Sequence, residues 1–258
     1  LLTSNGFYQD EEGNLYIIAK GFCMTREREV IYCSSVDMNL RILSIYKETD
    51  NKIWLGTVKG LFLFDGKDFS LFEEHDKLKQ TRITAITGMG DDLLVGTTSE
   101  GLFVLTKDSI LQYNSGSGFG ANIVRCIYQE NDSVLWIGSN KGLHRVSHRI
   151  DTAEGVLDFY RITTGEGLSS NVINDITISD SLMWIGTDNG LVSLDLRELQ
   201  LRSVPPRLAI TGIEVNNQPV PLSDPLVLEY NQNNLQIYFS GISFKGPDNL
   251  SYRYRLAG

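Results

Sequence analysis

The chain has 258 residues, 41% of them apolar, which is enough for one large β domain or two ordinary ones and for a core that needs no metal or disulfide to fold. Its 23 basic residues against 32 acidic ones leave a net charge of −9, which disfavours nucleic acid and anionic membrane surfaces as partners. No run of 18 apolar residues occurs, so no segment reads as a membrane-spanning helix; any membrane attachment is expected from segments outside this chain.

In chain order, the first organised stretch is Leu15-Tyr16-Ile17-Ile18-Ala19-Lys20-Gly21-Phe22: an apolar strand, a short polar step, a glycine and a second apolar strand. The pattern returns more sharply in Trp54-Leu55-Gly56-Thr57-Val58-Lys59-Gly60-Leu61-Phe62 and at residues 94–103, 136–144 and 184–192. Aligned on the second glycine (21, 60, 101, 142, 190), the copies lie 39, 41, 41 and 48 residues apart, a period that marks repeats of one supersecondary unit. Each copy reads as an antiparallel hairpin. Its second glycine supplies the positive φ of a tight turn. Its first (56, 96, 138, 186) removes a side chain where another backbone would be held off. The copy at 94–103 has one extra residue between its glycines and is read as a bulged or three-residue turn.

Cys23 and Cys33 flank Arg26-Glu27-Arg28-Glu29, and a hairpin that pairs Met24 with Tyr32 sets the two cysteines opposite each other. That register permits a disulfide, but residue type favours two buried thiols on neighbouring strands. Cys126 lies in an apolar run with no partner in view.

Every repeat parses as four short strands. The best marked has an inner strand at 83–86, the hairpin strands 93–97 and 101–106, and an outer strand at 110–113. Its neighbours supply 42–46 with 69–72, 123–128 with 156–161, and 172–178 with 199–202. The expected fold is therefore all-β, with about five four-stranded β-propeller blades. Alternating strand direction puts the turns carrying Lys59, Glu100, Lys141 and Asp188 on the same face as the long links 73–81, 114–122 and 162–171. Uneven loops on one face of a repeat scaffold are where binding is expected. At Val204-Pro205-Pro206 the repeat stops. Alternating strands follow at 207–215, 226–230, 235–242 and 251–256, an unfinished sandwich, so the expected domains are residues 1–204 and 205–258.

The repeated Trp-(Leu/Ile)-Gly-(Thr/Ser)-x-x-Gly-Leu, with the link Gly167-Leu168-Ser169-Ser170-Asn171, resembles the two-component regulator propeller repeat. The segment from Leu228-Glu229-Tyr230-Asn231 through Leu235-Gln236-Ile237-Tyr238-Phe239-Ser240 to Tyr252-Arg253-Tyr254-Arg255-Leu256 resembles the opening of the Ig-like tyrosine-rich domain that follows such propellers. The two modules in this order resemble the periplasmic sensor region of hybrid two-component histidine kinases. The resemblance implies an inner-membrane protein with seven-bladed propellers outside, a kinase inside, oligosaccharide ligands and a homodimer built through the full periplasmic region. On that reading the chain is the end of a propeller plus the start of the Ig-like domain, cut from a longer protein, and is itself no enzyme. The alternatives are a propeller-fold enzyme acting on glycans, as lyase or hydrolase, and a protein-interaction propeller.

No catalytic constellation emerges, and neither metal nor cofactor is expected. His75, His144 and His148 lack metal-ligand spacing with acidic or thiol company. The carboxylate pairs Glu73-Glu74 and Asp91-Asp92 fall in turns, where acids are usually solvated. Trp54, Trp136 and Trp184 recur at one position and read as core between blades. Ligand contacts should be peculiar to one loop, and by that test the candidates are Arg82, Phe119, Asn122, Lys141, Asn171 and Asp188.

Overall fold

The structure is a computed structural model, and it describes residues 6–9, 13–18, 22–26, 29–33, 41–49, 51–148, 157–199, 208–222 and 228–241. Two compact units divide the chain, Leu1–Leu199 and Gln200–Gly258. The first is a succession of antiparallel sheets. Blade one is β1 (Gly6–Gln9), β2 (Leu15–Ile18), β3 (Phe22–Arg26) and β4 (Glu29–Cys33). Blade two is β5 (Ile42–Thr49), β6 (Lys52–Thr57), β7 (Gly60–Phe64) and β8 (Phe69–Leu71). Blade three is β9 (Ile83–Met89), β10 (Asp92–Thr97), β11 (Leu102–Leu105) and β12 (Ile110–Tyr113). Blade four is β13 (Val124–Asn131), β14 (Val134–Ser139), β15 (Gly142–His148) and β16 (Leu157–Ile162). Blade five shows β17 (Ile173–Ser179), β18 (Leu182–Thr187) and β19 (Gly190–Asp195). Its expected outer strand at 199–202 falls almost wholly outside the described residues.

The hairpins obey the reading of their glycines and add a hydroxyl to it. Gly60 and Gly142 sit at φ 124° and 128°, and a Cβ on Gly60 would lie 2.7 Å from the carbonyl oxygen of Leu78. The Thr or Ser after each first glycine closes the turn. Thr57 Oγ1 donates to the Gly60 carbonyl at 2.8 Å, and Thr97, Ser139 and Thr187 repeat the bond to Gly101, Gly142 and Gly190.

The first glycine is a notch, filled by a side chain of the next blade where a backbone was expected. A Cβ on Gly138 would lie 2.8 Å from Ile173 Cγ2 and 2.5 Å from Cys126 Sγ; one on Gly56 would lie 2.8 Å from Ile83 Cγ2. Val124 fills the notch at Gly96 in the same way. Each notch is thus plugged by the first residue of the following inner strand. The core follows suit: every apolar cluster spans two neighbouring blades, as where Trp54 and Leu61 of blade two meet Ile83, Val95 and Phe103 of blade three. At Gly186, among the described residues, a Cβ would meet only Asp175 of its own sheet, at 3.7 Å. Gly138→Ala is therefore expected to overpack the blade interface and cost about 1–3 kcal/mol, while Gly186→Ala leaves thermal unfolding nearly unchanged. Equal melting shifts in the two variants would refute the notch.

Blade one carries a correction. Met24 pairs with Tyr32 as expected, and Cys23 pairs with Cys33, but the two are joined as a disulfide. Directly opposed residues, with Cα atoms 4.1 Å apart, are within bridging reach, and Cys33 is exposed, so the favoured pair of buried thiols does not describe them. Cys126 is the free thiol, and burial is the main cause that pushes its pKa up to about 12, which leaves it unreactive.

Among its described residues the second unit has one three-stranded sheet, in the order β21-β20-β22: β20 (Leu208–Val215), β21 (Gln218–Val220) and β22 (Leu235–Gly241). Asn216 and Asn217, both at positive φ, make the two-residue turn from β20 to β21. The strand expected at 226–230 is absent at its described residues, 228–230. There the chain turns, with the Gln232 amide donating to the Glu229 carbonyl and the Asn216 side chain donating to the Asn231 carbonyl. Ile237 and Phe239 of β22 are exposed. The segment 251–256 lies outside the described residues.

Candidate binding face

A register shift recurs in every inner strand of blades two to five. Leu43 in β5, Thr84 in β9, Arg125 in β13 and Asn174 in β17 each lack a partner on the second strand, while their flanking residues are paired. Such bulges re-aim a side chain. Because β5 packs on β9, β9 on β13 and β13 on β17, the inner strands gather round a common axis and the re-aimed side chains reach from blade to blade. Thr84 Oγ1 donates to the carbonyl of Val124 at 2.7 Å, and Arg125 Nη1 donates to Asn174 Oδ1 at 3.0 Å. The bulges lie at the link-face end of the strands, because the second turns are hydrogen-bonded just beside them. Val58, Thr98, Asn140 and Asp188 donate their amides to the carbonyls of Arg41, Arg82, Ile123 and Val172. Sequence reading missed this row, since a bulge leaves no mark in the apolar pattern. A column alignment of the residue after each inner strand's first would have found it.

The six sequence candidates separate into three groups. Arg82, Lys141 and Asp188 are exposed on the link face, tied to the mouth of the axis through the backbone bonds just described and that from Lys141 to Ser139 Oγ. Their positions recur: Arg41 is to blade two what Arg82 is to blade three, and Lys59 matches Lys141. Asn122 and Asn171 share one structural task. Each offers Oδ1 to a backbone amide seven residues earlier, Ser115 at 2.9 Å and Thr164 at 2.8 Å, and so clips its link shut. They are not peculiar to one loop. Phe119 is 1% exposed and stands in the core, its ring 4.4 Å from His144 and 5.2 Å from Phe159.

His144 is fully buried in β15, with Nε2 bonded to Ser139 Oγ at 2.9 Å. Burial, helped by the charge of Arg161, holds its pKa down at about 3, so the ring is neutral at pH 7. The unfolded chain binds this proton near pH 6.5 and the folded chain only near 3. The group's contribution to stability is thus complete above about pH 6.5 and is lost as pH falls toward 3. Phe62 and Phe103 hold the equivalent places in β7 and β11. His144→Phe is therefore expected to keep the fold and to flatten the fall of melting temperature between pH 6.5 and 3. An unchanged slope would mean that the ring is not the titrating group.

Elsewhere, a cleft of about 700 Å³ between blades two and three brings Glu74, Asp91 and Asp92 around Trp54. The tryptophan is nearly buried and its Nε1 donates to Glu48 Oε2 at 2.8 Å, so its ring packs between blades. Among the described residues, no three His, Cys, Asp or Glu side chains gather in a way that could hold a metal ion.

A family model described as "Two component regulator propeller" matches residues 118–141, which cover the bulge of β13 and the third full hairpin up to its turn. The chain is 25% identical over 266 residues to histidine kinase P4 of Formosa agariphila; the match takes in 91% of this chain and 18% of that protein. Among solved structures, the extracellular domain of a putative hybrid two-component system from B. thetaiotaomicron aligns with 97% of this chain and 34% of its own, at a TM-score of 0.59 and 17% identity. Virginiamycin B lyase from Staphylococcus aureus aligns with 74% of this chain and 64% of its own, at a TM-score of 0.53 and 13% identity, which speaks to fold alone. Residues 118–141 thus match the two-component regulator propeller, and over most of its length the chain is similar in sequence to a histidine kinase and in fold to the extracellular domain of a hybrid two-component system, as the resemblance read from the sequence implies.

Proposed function

We propose that this chain is part of the extracytoplasmic sensor region of a hybrid two-component histidine kinase in which residues 1–204 belong to a propeller and residues 205–258 open an Ig-like tyrosine-rich domain. The link face binds an oligosaccharide-type ligand without altering it, and binding favours one of two arrangements of the sensor, which is relayed across the inner membrane to control transcription. The observation that carries this reading is the division of labour within each repeat. In blades two to four the notch glycines, the turn hydroxyls and the tryptophans Trp54 and Trp136 are spent on packing, while the unpaired residue at the inner-strand bulge differs in each of blades two to five: Leu43, Thr84, Arg125, Asn174. The Cys23–Cys33 disulfide supports an oxidising compartment such as the periplasm. The sensor is expected to work as a homodimer.

Calorimetric titration with defined oligosaccharides, followed by product analysis of every mixture, tests the reading. Heat of binding with the sugar recovered intact is the expected result. Turnover would overturn it in favour of a propeller enzyme.

A further inference from the structure

The two ends of the blade stack differ in charge. In the tight turns facing away from the links the exposed acids Asp65, Asp68, Asp91, Asp108, Asp132 and Asp180 outnumber the exposed lysines of the same turns, Lys67 and Lys107. Around the axial mouth at the other end stand Arg41, Lys59, Arg82, Arg125 and Lys141, also exposed, with no ion pair to a described residue. The acids of that end are placed otherwise. Glu100 is paired with Lys77 at 2.7 Å, which lowers its pKa. Glu73 and Glu74 follow the outer strand β8, at the blade's far edge from the axis; Asp76 is paired with Lys79 at 3.1 Å, and Glu166 accepts the Thr163 amide at 2.8 Å. Asp175 accepts the amide of Ile176, and Asp188 is the one acid in the equivalent turns without a cation. On a chain of net charge −9, a cationic mouth is a local departure from the whole.

Within that mouth Arg125 is held by an amide. Asn174 Oδ1 fixes Nη1 without neutralising the charge, and the guanidinium keeps its other N–H donors. A planar cation anchored at one corner presents a fork that matches an oxyanion with two acceptor oxygens. Resting on the oligosaccharide reading above, we infer that the ligand is acidic, a sugar bearing a carboxylate or sulfate group, and that Arg125, positioned by Asn174, receives that group.

The test is native gel electrophoresis of the 258-residue chain through gels containing polygalacturonate, dextran sulfate or neutral dextran. Polyanions repel a protein of this net charge, so retardation reports a specific site. Retardation in polygalacturonate or in dextran sulfate, and not in dextran, is expected; the gel that retards tells carboxylate from sulfate. Arg125→Gln is expected to weaken it about tenfold, the loss of one charge-assisted contact. Arg125→Lys should weaken it less, and Lys107→Gln, the same charge change on the opposite face, should leave it unaltered. Equal effects of Arg125→Gln and Lys107→Gln would overturn the inference. Retardation by dextran alone would also overturn it while leaving the sensor reading intact. No retardation in any gel overturns it too, and the sensor reading is then decided by the calorimetric screen.

Discussion

Trp136→Ala is expected to lower stability by about 3–5 kcal/mol, and Trp184→Ala, at the same place in the next repeat, by well under half as much. Trp136 is 0% exposed, its Nε1 donates to Glu130 Oε2 at 2.6 Å, and it packs in one cluster with Ile173, Ile176 and Met183 of blade five. Truncating it removes a large apolar surface and leaves a cavity between two blades. Trp184 is 38% exposed, and Leu191 beside it is 66% exposed, where its counterparts Leu61, Leu102 and Leu143 are fully buried. The same residue type thus meets a covered face in blade four and an open one in blade five. Urea unfolding of the two variants decides the matter. Equal losses would show that the outer face of blade five is as closely packed as the others.

The contrast also marks how far the sequence could be read. Strand identity was legible because each repeat alternates apolar and polar residues between glycines whose positive φ the turn demands, and β9, β10 and β12 begin within one residue of the positions inferred from that pattern. The register of Met24 with Tyr32 was legible from the placement of Cys23 and Cys33 around Arg26-Glu27-Arg28-Glu29. What the pattern does not encode is which side of a strand the next blade covers. Gly186 and Gly138 look identical in sequence, and only the neighbour of each tells a filled notch from an open one. The candidate site suffered similarly. Asn122 and Asn171 read as residues peculiar to their loops, yet the side chain that can read a sugar hydroxyl also caps a backbone amide, and the structure spends both amide oxygens on the second task. Arg125 and Asn174 went unnoticed because a bulge shifts the side-chain alternation by one residue at a point the apolar pattern does not record.

Phe119 is the candidate whose role the structure changes most, and its truncation is the second large effect expected. The residue five places before the inner strands of blades three to five is Leu78, Phe119 and Leu168 in turn, and all three are buried, so the position is a plug by which a link closes over the blade interface. Phe119 faces His144 and Phe159, and Tyr113 meets Phe159 at 5.1 Å. Removing the ring opens that aromatic cluster and bares the buried imidazole, whose Nδ1 already lacks a hydrogen-bond partner. Phe119→Ala is expected to cost about 3–5 kcal/mol. Phe119→Leu, which copies the other two links, should cost less than about 1.5 kcal/mol, as a hydrophobic swap that keeps most of the volume does. Chemical denaturation of both variants separates a plug from a ligand platform. A plug loses stability in the alanine form and recovers most of it with leucine, whereas a platform would leave both variants as stable as the parent chain and lose only sugar binding.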